Sequence, residues 1–142
     1  MVTLHILQWL QNNGFGTVDV NGNVTTDGLY FEKLTVGKSG VAIYSRGAPL
    51  GRGLRTTQAF DLYSRGTDDV QGLQKLQSIL SFMTDSYGLA CTLPAVPGIS
   101  TATTYTRVTV VPVSNIENVG LDPNDRVVYT ATAQVTYETI TN

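Results

Sequence analysis

The apolar positions of this chain follow two rhythms. Leu4, Leu7 and Leu10 recur every third residue, Ile6 and Trp9 widen the same face, and Gly14 follows the last of them. That spacing predicts a short helix over residues 2–13, with Thr3 able to cap its start. A second helical rhythm runs through Leu73, Leu76, Leu80 and Met83, flanked by Val70, Ile79 and Phe82. Thr67 stands before it as an N-cap, and Asp68 and Asp69 place negative charge where the helix dipole favours it. No Pro interrupts before Asp85, so an amphipathic helix is predicted from residue 67 to about residue 85.

Elsewhere the period is two. Val127, Tyr129, Ala131, Ala133, Val135 and Tyr137 alternate with Val128, Thr130, Thr132, Gln134, Thr136 and Glu138. This predicts a half-buried antiparallel strand over residues 126–139. Shorter strands are predicted at residues 28–34, 40–45, 56–63, 87–96 and 103–113, the last ending near Pro112. Between them, Asn21-Gly22-Asn23 and residues 36–40 read as turns, residues 46–53 as a Gly-rich loop, and residues 115–125 as a polar connection. Strand runs on either side of one helix argue for an α+β fold, with an antiparallel or mixed sheet and both helices on one face. Twenty Thr and sixteen Val support a sheet-rich chain.

At 142 residues, with no linker or repeat, the chain reads as a single domain over residues 1–142. The formal charge is -2, which argues against a generic, strongly basic nucleic-acid binder. Charged residues make up only 14%, against roughly 25% in an average soluble domain. A surface so poor in charge is expected to be covered in part by other subunits. No apolar run is long enough to span a membrane, and no basic stretch precedes an apolar one at the start. A soluble product made in the cytoplasm is expected.

Candidate chemistry is sparse. One His (His5) and one Cys (Cys91) exclude a His- or Cys-rich metal site and an internal disulfide. His5 sits in an apolar helix and reads as packed or exposed rather than catalytic, and Cys91 as a small buried residue. Gly37-Lys38-Ser39 would need a Gly at position 32 to be a phosphate loop; Glu32 stands there, and a strand follows instead of a helix. Asp68 and Asp69 are explained by capping. Glu117, Asp122 and Asp125 lack the spacing of a calcium loop, and Asp122-Pro123-Asn124-Asp125 reads as a turn. No catalytic group, metal or cofactor is expected. Charge, however, is unevenly placed. Residues 33–66 hold six basic side chains and one acid (Asp61), while residues 67–142 hold three basic and seven acidic ones.

Several segments together resemble a family. After the short first helix come Gly28-Leu29-Tyr30-Phe31 and Ser39-Gly40-Val41-Ala42-Ile43-Tyr44-Ser45-Arg46-Gly47. The second helix follows, and then Gly120, Asp122 and Arg126 before the final strand. The pattern resembles the tail terminator proteins of long-tailed bacteriophages, also called tail completion or minor capsid proteins. The resemblance implies a structural virion protein, not an enzyme, that forms a hexameric ring at the head-proximal end of the tail. Its implied partners are further copies of itself, the major tail tube protein, and a head-completion or stopper protein. DNA would pass through the lumen without sequence-specific binding, and no membrane is involved. A head-tail connector or a tail tube protein is the alternative. On this reading Arg46, Arg52, Arg55 and Arg65 are expected to face acids such as Asp68, Asp69, Asp122 or Asp125 on the next subunit.

Overall fold

A computed structural model describes residues 2–85, 92–99 and 103–141. The element order is α1 (Val2–Asn12), β1 (Thr17–Val18), β2 (Gly28–Phe31), β3 (Gly40–Arg52), β4 (Arg55–Arg65), α2 (Gln71–Asp85), β5 (Thr103–Pro112), β6 (Glu117–Leu121) and β7 (Val127–Thr141). The seven strands form one mixed sheet in the order β1-β2-β3-β4-β7-β5, with β6 also paired to β7. The β1–β2 and β2–β3 pairs are parallel, and the rest are antiparallel. The fold is α+β, as the two rhythms predict.

Both helices cover one face of the sheet. Ile6, Leu7 and Leu10 of α1 and Leu76, Ile79 and Met83 of α2 share a core with Val41, Ile43, Phe60, Leu62, Ala131, Ala133 and Val135. Registers Ile43↔Leu62 and Leu62↔Ala131 put these strand residues on the same face, as period-two alternation requires. Of the two readings left open for His5, packed or exposed, the structure shows it packed. Its Nδ1 donates to the Pro94 carbonyl at 2.9 Å, and its ring meets Tyr105 edge-on at 4.8 Å.

Helix α1 stops because Gly14 takes φ +85°, which frees Gly14 N–H to bond Gln11 O and Phe15 N–H to bond Leu10 O. Those two bonds are a Schellman close. Thr3 is not the cap; it lies inside the helix with its hydroxyl 3.3 Å from that of Ser45. At α2 the cap is Asp68, one residue later than expected. Asp68 Oδ1 accepts from Val70 N–H and Gln71 N–H at 3.0 and 2.8 Å, while Gln71 Oε1 reaches back to Thr67 N–H at 2.6 Å. The acids therefore precede the helix and do not occupy its first turn.

Three loop-level expectations change. Residues 46–52 are not a loop but the outer half of β3, and only Gly53 of that segment lies in a turn. Residues 115–125 contain β6. Residues 92–96 carry no strand, although Leu93 N–H bonds Tyr105 O at 3.0 Å; residues 87–91, with Cys91, lie outside the described residues. β5 and β6 run in the same direction along the same side of β7, from Thr103↔Thr141 to Leu121↔Val127. They form one edge strand broken by a kink, where Val113 and Ser114 N–H both bond Thr132 O.

Candidate assembly interface

The β3–β4 hairpin is built around a bulge. Arg46 pairs with Ala59, but the next pair is Leu50↔Thr57, so two extra residues bow out of β3 at Gly47, Ala48 and Pro49. The buried amide of Gln58 fills the gap and donates to the carbonyls of Arg46 and Gly47, each at 3.2 Å. The ladder then resumes to Arg52↔Arg55, closed by Gly53 and Leu54. Gly53 has φ +62°, the first turn position at which a tight hairpin needs Gly. Leu54 is 85% exposed at the tip and Leu50 is 59% exposed.

The eight residues expected at subunit contacts divide into three groups. Arg65 and Asp122 meet within one chain. Arg65 Nη1 lies 3.0 Å from Asp122 Oδ2, both side chains are buried, and the guanidinium also donates to the carbonyls of Thr35 and Lys38. Asp122 Oδ1 accepts from Asn124 N–H and Arg126 N–H, closing the β6–β7 turn. The Arg126 N–H holds the Asp122 carboxyl below its ordinary range, with Asn124 N–H and the Arg65 charge adding to it against the cost of desolvation. Arg46 forms the second group: its Nε lies 3.3 Å from Asp61 Oδ2 in the middle of the sheet. These two arginines are thus matched by acids of their own chain, Arg65 by Asp122 and Arg46 by Asp61.

The third group remains at the surface. Arg55 is exposed beside the tip, with Nη2 3.4 Å from Arg107 O. Arg52 completes the turn; its side chain lies outside what the structure describes. Asp68, Asp69 and Asp125 are exposed at the other end of the sheet, past Arg65↔Val128. β4 separates the two ends, from Thr56 to Arg65, a length of about 30 Å at ~3.3 Å per residue. The molecule is thus basic at the hairpin end and acidic at the α2 end.

Among the described residues no cluster of His, Cys, Asp or Glu is placed to hold a metal, and no helix is long and apolar enough to cross a membrane. A cleft of about 430 Å³ lies between β3, β4 and α2. Its charged groups neutralise each other, Lys75 Nζ standing 2.7 Å from Asp27 Oδ1. Lys38 of the Gly-Lys-Ser turn is likewise engaged, 3.4 Å from Asp19 and 3.1 Å from Gly22 O. Sequence reasoning missed β6, whose Val119 and Leu121 are exposed beside Glu117; Gly120 and the following Pro123 masked its strand signal. No family model, curated protein or solved structure matches the chain.

Proposed function

We propose that the chain is a tail terminator subunit of a long-tailed bacteriophage, a structural protein that assembles head to tail into a ring. The observation that carries this reading is the separation of exposed charge to opposite ends of the sheet. Contact between like ends would set Arg55 against Arg55 or Asp69 against Asp69. Contact between unlike ends sets basic against acidic, and repeated by rotation it closes into a ring. The low charged fraction and the α+β architecture agree with the resemblance carried by the sequence. In this reading the ring, roughly six copies, sits on the tail tube protein and offers its other surface to a head-completion protein. DNA passes through it unread.

Light scattering and negative-stain imaging at two protein concentrations test the proposal. A closed ring of constant size at both concentrations is expected. Tubes that lengthen with concentration would move the assignment to a tail tube protein, which shares the head-to-tail contact but does not stop. A monomer at both concentrations would overturn the assembly reading altogether.

A further inference from the structure

Two exposed apolar patches lie toward opposite ends of the sheet, and they differ in charge. One is the hairpin tip, where Leu54 and Leu50 stand beside Arg55. The other is β6, whose five residues are all exposed, with Val119 at 51%, Leu121 at 63% and Glu117 opening the strand. Single exposed aliphatic residues need no explanation, but clustered ones beside a charge mark contact surfaces. Within one chain the patches are held apart. The tip lies beyond Thr56↔Tyr137, whereas β6 pairs with residues 127–130 of β7. That is seven residues along β7, or ~23 Å.

We infer that the hairpin tip of one copy docks on β6 of the next, with Leu54 and Leu50 covering Val119 and Leu121 and Arg55 facing Glu117. This rests on the head-to-tail reading and names its contact. The occupant is a second copy because each patch carries the charge the other lacks. Tip against tip or β6 against β6 would oppose like charges, so the charges set the order while the apolar side chains supply the attraction. Side chains make the contact, because Pro49 and the bulge at Gly47 blunt the outer edge of β3 against simple strand addition.

The test uses the full chain with Cys91→Ser, so that no native thiol competes. Leu54→Cys combined with Leu121→Cys is expected to give a ladder of disulfide-linked copies on a non-reducing gel, while each single variant, whose thiol has no partner at the contact, runs as a monomer. Separately, Arg55→Glu is expected to weaken assembly on the order of tenfold, and mixing it with Glu117→Arg to restore it, as reversal of one matched charge pair allows. All four positions are exposed, so circular dichroism should match the parent. A double-cysteine variant that keeps the parent's oligomer mass but gives no ladder overturns this docking and leaves the ring standing. So does unchanged assembly in both charge variants. A parent that stays monomeric removes the ring, and the docking with it.

Discussion

Arg65 closes the acidic end of the sheet by itself. Its guanidinium satisfies the carbonyls of Thr35 and Lys38 and faces Asp122, so one side chain from β4 holds both the loop after β2 and the β6–β7 turn. Arg65→Ala is expected to cost ~3 kcal/mol in a denaturant titration, because it strands buried carbonyls that had a charged donor. Asp122 adds a pH dependence with a definite sign. Its folded carboxyl ionises below the ordinary value of 3.8, so its contribution is present above that value and fades as pH falls toward the folded one. Thermal midpoints measured from pH 5 down to about pH 2 should therefore fall less steeply in Asp122→Asn. The turn at Asp122-Pro123-Asn124-Asp125 was legible because its residue types favour turns. The burial of Arg65 was not. Two of its partners are backbone carbonyls, which leave no mark in the sequence, and the third is far along the chain.

The helices and β7 follow the sequence closely, since burial on one side imposes a period that the spacing of apolar residues reveals. The outer half of β3 shows the opposite case. Gly47, Pro49 and Gly51 all read as loop, yet pairing with β4 and the filling of the bulge by Gln58 make the segment strand as far as Arg52. Partners in space override local preference in sheets more than in helices. Gly40 is a related example, legible as the join of a turn and a strand but not as a point of close backbone approach. A Cβ there would stand 2.1 Å from the Gly28 carbonyl oxygen, because β2 and β3 meet backbone to backbone, and its φ of +138° also disfavours a side chain. Gly40→Ala is expected to lower stability by more than ~3 kcal/mol, whereas Gly47→Ala, with open space around it, should cost about 1–2 kcal/mol of backbone strain. Chemical denaturation of the two variants side by side checks the contrast.

The charge separation of the whole molecule was visible in the sequence only as two blocks along the chain, and those blocks are misleading in detail. Arg65 belongs to the basic block, yet it lies buried at the acidic end; Arg46 is matched by Asp61 midway along the sheet. Of the residues expected at subunit contacts, Arg55 is exposed at one end without an acid partner among the described residues of its own chain, and Asp68, Asp69 and Asp125 are exposed at the other. An assembly ordered by these charges should respond to ionic strength. Raising salt from about 0.1 to about 1 M shortens the screening length from about 10 to about 3 Å, and sedimentation should show slower formation of the oligomer. An oligomer that forms equally fast at both would mean that the charges do not steer its assembly.

Strand β7 sits between β4 on one side and β5 with β6 on the other, yet it follows all of them in the sequence. A growing chain therefore makes every neighbour of this strand before the strand itself. Until it arrives, β4 presents a bare edge with ten positions to pair, from Thr56 to Arg65, and β5 and β6 have nothing to lie against. Completion of the sheet must wait until residues 127–141 have left the ribosome, and the waiting chain is open to pairing with its siblings. A fragment ending at Asp125 should accordingly be cleaved rapidly by trypsin and clump on concentration, and a separate peptide of residues 126–142 should rescue it. The order of synthesis then becomes a timing device: no copy can complete its sheet before residues 127–141 have been made.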